Sequence, residues 1–84
     1  MKATVLVRPK AGILDPQGEA VHDSLRKLGF PVTEARVGRI VDLVLETNDP
    51  SEGQAQLERM SEELLSNPLI ESFEIVIADG AGKE

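Results

Sequence analysis

Apolar residues recur at every second position in three parts of the chain, which is the spacing of a half-buried β-strand, and a fourth strand is predicted before Gly38-Arg39. In the first part, Val5 and Val7 share one face, and the strand should end at Pro9 because proline has no N–H to donate to a ladder. The four predicted strands are Lys2–Pro9, Val32–Val37, Ile40–Thr47 and Leu69–Ile77.

Two Asp-Pro pairs predict the starts of two helices. Asp15-Pro16 and Asp49-Pro50 each place a capping carboxylate before a proline, whose fixed φ suits the first helical position. An apolar stripe at helical spacing follows each pair. The stripes are Val21, Leu25 and Leu28 in the first helix, and Leu57, Met60 and Leu64 in the second.

The resulting order β-α-β-β-α-β predicts an α+β, ferredoxin-like fold: a four-stranded antiparallel sheet with two helices on one face. Gly38-Arg39 is expected to form the tight turn between the second and third strands. Residues 1–78 should be one domain and 79–84 a frayed tail. The expected core is Val5, Val7, Val21, Leu25, Leu28, Val41, Leu43, Leu45, Leu57, Met60, Leu64, Phe73, Ile75 and Ile77.

The other sheet face is unusually apolar for a face exposed to water, because it would carry Leu6, Ile40, Val44 and Val76. With 84 residues, the chain should bury only about 63% of its surface on folding. It has no cysteine, so no disulfide can supplement this small core. We therefore expect these four residues to form an oligomer contact.

Composition argues against several classes of function. Nine basic residues face 15 acidic ones, and a net charge of -6 opposes binding to a phosphate backbone. The only aromatic residues are two phenylalanines, too few for a base-stacking sheet. No apolar run approaches the length of a membrane span. We expect a cytoplasmic protein that binds neither nucleic acid nor membrane.

The sequence contains no convincing catalytic or metal-binding set. His22 is the only histidine and has no companions at metal-ligand spacing. The segment from Arg8 to Gly18 has two basic residues, two glycines and a helix start, but it lacks a Gly-Lys-Ser/Thr sequence. Asp15 also occupies the N-cap, where its charge would repel a phosphate. This loop is therefore interpreted as a shaped protein-contact element, in which Lys10 could pair with an acidic partner.

Several segments together resemble the PurS family, whose members are small subunits of phosphoribosylformylglycinamidine (FGAM) synthase. The loop PKAGILDPQG over residues 9–18 is the most specific of them. Leu28-Gly29, the RVGR run over residues 36–39 and the LLSNPLIE run over residues 64–71 support it. Phe73 stands where the family often has tyrosine. The resemblance extends from Met1 to about Ile77.

The resemblance implies a non-catalytic bridging subunit. The complex converts formylglycinamide ribonucleotide, glutamine and ATP to FGAM in purine biosynthesis. The small subunit joins a PurL-type synthetase, where ATP and magnesium are expected, to a PurQ-type glutaminase, and supports ammonia transfer. It would be a dimer or tetramer and carry no cofactor itself. The expected docking residues are Lys10, Gly12, Asp15, Pro16, Gln17 and Gly18, with Asn67, Pro68 and Glu71 as secondary candidates.

One alternative remains open from the residues alone. Ferredoxin-like regulatory domains bind small metabolites at subunit interfaces, and a glycine-bearing loop after the first strand would suit that function. A stand-alone enzyme is the least supported interpretation, because no credible active site is present.

Overall fold

The computed structural model describes residues 1–78; the tail predicted at 79–84 lies outside the described residues. It contains three strands, two α-helices and one short π-helical segment. In chain order these are β1 (Lys2–Pro9), α1 (Pro16–Lys27), β2 (Arg39–Val44), α2 (Pro50–Met60), the π-helical segment (Ser61–Leu65) and β3 (Glu71–Ile77).

The sheet is antiparallel with β1 at its centre, in the order β2-β1-β3. Val5 of β1 lies opposite Val41 of β2 on one side and Ile75 of β3 on the other. Ala3, Val5 and Val7 of this central strand are buried on the inner face of the sheet, where Leu57 of α2 packs against them. The α+β class is therefore as expected.

Both predicted helix starts are confirmed. The side chain of Asp15 accepts a hydrogen bond from the N–H of Gly18 at 3.1 Å, and that of Asp49 accepts one from the N–H of Ser51 at 3.0 Å. Each helix begins at the proline after its cap, where the missing N–H costs nothing. Local sequence chemistry is sufficient to place these two boundaries.

The core lies between β1 and α2. Leu57 of α2 is fully buried with Val5 and Val7, and half-buried residues of β2, β3 and the end of α2 pack around them. After Met60 the helix widens into the π-helical segment, and the Ser66 hydroxyl donates to the carbonyl of Ser61 at 2.8 Å. Only one helix therefore covers the inner face extensively.

The prediction of a fourth strand is wrong for this chain. Residues 32–37 form no strand, so the sheet described over residues 1–78 has three strands. Gly38 lacks the positive φ that a tight hairpin would need. Instead, its backbone passes so close to the carbonyl of Val7 that a Cβ would collide with it. The chain therefore enters β2 without folding back on it.

Part of the predicted core and the placement of both helices on one face are also wrong. Helix α1 makes no extended contact with the sheet, so Val21 and Leu28 of its stripe are exposed and Leu25 is half-buried. Leu64 is 83% exposed because the π-helical segment turns it outward. Strand β1 has the predicted bounds, whereas the other two strands are shorter than predicted: β2 ends at Val44, and β3 begins at Glu71.

Truncating Leu57 should show where the core lies. We expect Leu57→Ala to lower the free energy of unfolding by about 2–5 kcal/mol, because it leaves a cavity at a fully buried site. The matched control is Leu64→Ala, which removes the same atoms from an exposed position and should change stability by less than about 0.5 kcal/mol. Urea denaturation measures both, and equal losses would contradict the assignment.

Candidate partner-docking site

The loop after β1 is held by backbone hydrogen bonds and by one arginine. The Lys10 carbonyl accepts from the Ile13 N–H at 3.1 Å and from Nη2 of Arg36 at 2.9 Å. Gly12 has a φ of 84°, a conformation that L side chains rarely adopt. The loop is therefore a shaped element, and the Lys10 side chain is exposed on it.

Asp15 ties this loop to a distant part of the chain. One of its carboxylate oxygens accepts from the Gly18 N–H, and the other accepts from the Val37 N–H at 2.8 Å. Nε of Arg36 lies 3.9 Å from that second oxygen. The hydrogen bond from Val37, followed by that from Gly18, holds the pKa of the Asp15 carboxyl below its usual value.

The first turn of α1 completes this element. Gly18 is buried, and a Cβ there would collide with the carbonyl oxygen of Ala35. A glycine is thus required for the helix and the segment before β2 to approach each other. Pro16 and Gln17 are exposed beside it. Gly12, Asp15 and Gly18 therefore shape the loop, whereas Lys10, Pro16 and Gln17 offer contact surface.

The second predicted segment is also fixed by side-chain hydrogen bonds. Asn67 Oδ1 accepts from the Leu69 N–H at 3.2 Å, and Glu71 Oε1 accepts from the Asn67 N–H at 2.7 Å. Both carboxylate oxygens of Glu71 also accept from Arg39, at 2.9 and 3.0 Å. The Arg39 side chain, then the Asn67 N–H, lowers the pKa of Glu71, and Glu71 in turn raises the pKa of Arg39.

The fold brings the two segments together. The Lys10 N–H donates to the Ile70 carbonyl at 2.9 Å, and Pro9 lies opposite Glu71 in the sheet. A shallow hollow of about 220 Å³ lies between them, with walls that include Asp15 and Gln17 from one segment and Ile70 and Glu71 from the other. We call this surface, formed by residues 10–18 and 67–71, the docking end.

Two exposed apolar residues add to the docking end and were missed by the sequence analysis. Leu14 is 70% exposed and Leu69 is 83% exposed. The sequence analysis also left Arg36 and Arg39 out of the expected docking residues, although both lie in the RVGR run. No helical or strand spacing links either arginine to its acceptors, which lie about 20 to 30 residues away in the chain. Only the folded structure brings them together.

The outer face of the sheet carries the four predicted contact residues. Leu6 lies opposite Ile40, and Thr4 lies opposite Val76, so their side chains project from one face together with that of Val44. Ile40 and Val44 are 64% and 77% exposed, respectively. Leu6 and Ile40 are neighbours on this face, whereas Thr4 and Asp42, joined by a hydrogen bond of 2.8 Å, separate them from Val44.

The described residues contain no evident catalytic site. His22 lies beside Asp23 with Nδ1 3.1 Å from a carboxylate oxygen, and no group of three His, Cys, Asp or Glu residues within 1–78 could hold a metal ion. A hollow of about 710 Å³ is lined by four acidic residues, including Glu19 and Glu34, and by Arg36. Its charge opposes anionic metabolites, which weakens the case for a regulatory nucleotide site.

No helix within residues 1–78 is both long and apolar enough to cross a membrane.

Comparisons with known proteins agree on one family. The family model described as PurS, phosphoribosylformylglycinamidine (FGAM) synthase, matches residues 2–79. The PurS subunit of Synechocystis is 40% identical over 80 residues, covering 92% of this chain and 78% of that protein. Thermus thermophilus PurS is 38% identical with a TM-score of 0.76, covering 92% of this chain and 95% of that one.

A complex offers a third comparison. A chain in the structure of PurLQS from Thermotoga maritima is 30% identical, with a TM-score of 0.81, and the match covers 89% of this chain and 93% of that one. The fold is therefore that of a small α+β subunit known from a multisubunit enzyme. This chain belongs to the PurS family of FGAM synthase.

The two oxygens of Asp15 have separate partners, so we expect Asp15→Asn to lower stability more than the same change at Asp49. The amide keeps one acceptor and loses the other, so the variant should be less stable than the wild type at pH 7. The matched control is Asp49→Asn: Asp49 Oδ1 accepts from both the N–H and the hydroxyl of Ser51, so an amide can retain both bonds. Thermal unfolding should show a lower Tm for Asp15→Asn alone.

The pH dependence of this effect follows from the lowered pKa of Asp15. Its stabilising contribution is fully present above the ordinary value of 3.8 and is lost as pH falls through the lower folded-state pKa. The difference in Tm between the wild type and Asp15→Asn should therefore shrink as the pH falls through the lowered pKa of Asp15. A difference that stays constant to the lowest measurable pH would contradict the hydrogen bonding described for Asp15.

Proposed function

We propose that this chain, a PurS subunit of FGAM synthase, joins the synthetase and glutaminase subunits through its docking end. The observation that carries this proposal is the meeting of residues 10–18 and 67–71 at one end of the sheet. Both segments are fixed by internal hydrogen bonds and still present exposed side chains such as Lys10, Leu14 and Leu69. A rigid surface of this kind loses little conformational entropy on binding.

The contribution of the subunit is geometric. The glutaminase releases ammonia from glutamine, and the synthetase uses ATP to activate the amide oxygen of formylglycinamide ribonucleotide. If the two active sites are held in a fixed relation, ammonia passes from one to the other without first diffusing into the solvent. Such positioning lowers the activation free energy of comparable reactions by several kcal/mol. No bond is made or broken by this chain.

The nucleotide chemistry belongs to the partner. ATP with magnesium would bind the synthetase subunit, because the acidic hollow of this chain opposes a triphosphate. We place the complex in the cytoplasm, where a purine-pathway ligase would find its substrates. Residues 1–78 would act there as one structural unit.

Self-association would use the apolar outer face of the sheet. This face carries four branched aliphatic side chains, although a sheet face exposed to water is normally polar. They belong to Leu6, Ile40, Val44 and Val76. Covering them in a dimer or tetramer would also supplement a core in which four apolar side chains of residues 1–78 are buried. Val76→Asp should therefore weaken self-association.

Reconstitution with and without the chain tests the proposed function. Leaving it out should abolish most FGAM formation when glutamine is the nitrogen donor, because ammonia no longer reaches the synthetase. Free ammonia at high concentration should restore product, since it bypasses the glutaminase. Glutamine-dependent activity that does not require this chain would contradict the proposal.

The docking end predicts a position-specific effect of charge. We expect Lys10→Glu to weaken binding to the synthetase–glutaminase pair at least tenfold, which corresponds to about 1.4 kcal/mol. Lys27→Glu is the control, because it makes the same charge change at an exposed position in the last turn of α1. Binding isotherms compare the two, and equal weakening would show that net charge, rather than the docking end, governs binding.

A further inference from the structure

One arginine side chain crosses the sheet from one edge strand to the other. Arg39 is the first residue of β2, and Glu71 is the first residue of β3. The two strands lie on opposite sides of β1, where Val7 faces Arg39 and Pro9 faces Glu71. Neighbouring strands are about 4.8 Å apart, so the backbones of β2 and β3 are separated by about 10 Å. The long Arg39 side chain therefore passes the central strand to reach Glu71.

The guanidinium of Arg39 joins the end of the π-helical segment to β3. Nη1 and Nη2 donate to the two carboxylate oxygens of Glu71 at 2.9 and 3.0 Å, and Nη2 also donates to the carbonyl of Leu65. The last carbonyls of a helix have no partner within it, and Arg39 supplies one here. A guanidinium suits this position because its planar donors match a carboxylate in pairs.

Glu71 and Asn67 close the turn between the π-helical segment and β3. The Asn67 N–H donates to the Glu71 carboxylate at 2.7 Å, and the Asn67 carbonyl accepts from the N–H groups of Ile70 and Glu71 at 3.0 and 2.8 Å. The Glu71 side chain is only 18% exposed. Both of its carboxylate oxygens are bonded within the chain, so Glu71 supports the turn rather than offering a contact to another subunit.

The closed turn carries an apolar tip. Pro68, Leu69 and Ile70 are all exposed, and Leu69 is 83% exposed. A leucine on a turn that is already fixed by hydrogen bonds requires little further ordering of the backbone when it enters a recess of another protein. Its burial there would also remove apolar surface from water. The tip therefore fits an apolar recess, and the polar residues behind it hold it in place.

We propose that Arg39 is a positioning residue for docking: by holding Glu71 and the end of the π-helical segment together, it presents Leu69 to an apolar recess on the synthetase–glutaminase pair. Leu69 makes the contact, and Arg39 acts through it. This inference rests on the proposed function of the docking end and assigns separate roles to residues within and behind it.

Replacing Arg39 with methionine tests the support. Arg39→Met keeps an unbranched stem and removes the donors, so binding to the synthetase–glutaminase pair should weaken about tenfold. Arg39→Lys keeps the positive charge and should recover part of this loss, because an ammonium still donates to Glu71. Arg59→Met is the matched control, since it makes the same change at an arginine of α2 that pairs with the exposed Glu63, and its binding should equal that of the wild type.

A double-mutant cycle shows whether Arg39 acts through Leu69. Leu69→Ala should also weaken binding about tenfold, because the recess loses most of the side chain that fills it. The chain with both changes should bind about as weakly as Leu69→Ala alone, whereas independent effects would give a loss of roughly a hundredfold. Leu14→Ala changes the other docking segment, so its effect should multiply with that of Arg39→Met.

Hydrogen exchange of the free chain separates positioning from general stability. The N–H groups of Leu69, Ile70 and Glu71 all donate to Asn67, so Arg39→Met should speed the exchange of these three amides as the turn loosens. The amides of β1, at the centre of the sheet, should exchange as they do in the wild type. Faster exchange throughout residues 1–78 would show that Arg39 only stabilises the fold, and would overturn the positioning role.

The binding results also distinguish this inference from the proposed function. If Lys10→Glu weakens binding while Arg39→Met or Leu69→Ala binds like the wild type, the docking end stands and the role of Arg39 falls. The same holds if the losses from Arg39→Met and Leu69→Ala multiply. If neither Lys10→Glu nor Leu69→Ala weakens binding, the docking end itself is wrong, and the role of Arg39 falls with it.

Discussion

The Asp15 carboxylate is the interaction on which the rest of the structure depends. Its two oxygens bind the first turn of α1 and the N–H of Val37, and Arg36 from the same segment binds the loop before it. One side chain therefore starts a helix, fixes the docking loop and holds the segment that leads into β2. Removing its charge would disturb all three features, of which the last lies 22 residues away in the chain.

The size of the chain is the second constraint. A domain of 84 residues has little apolar surface to bury, and here α1 stays outside the core that β1 and α2 form. Such a chain gains stability mainly by binding other surfaces. These features are consistent with a protein that connects other subunits. Its two fixed segments meet at one end of the sheet, and the outer sheet face carries exposed apolar side chains. None of the described residues form an active site.

The sequence predicted the local features well and the long-range ones poorly. Capping by Asp15 and Asp49 depends on neighbours within three residues, so both helix starts could be placed from the sequence. The inner face of β1 followed from its two-residue period. The fourth strand was wrongly predicted because the sequence shows a possible turn at Gly38-Arg39, whereas in the structure Gly38 lies against the Val7 carbonyl and forms no hairpin. Leu64 was wrongly placed in the core because a π-helical turn shifts the helical period.

The two docking segments illustrate both outcomes. Each was identified from its own residues and from the resemblance to the PurS family, whereas their meeting through Lys10 and Ile70 required the fold. The most direct test is hydrogen exchange of this chain, alone and within the assembled synthase. We predict that amides in residues 10–18 and 67–71 become more protected on assembly. Protection confined to other surfaces, with these two segments unchanged, would contradict the account.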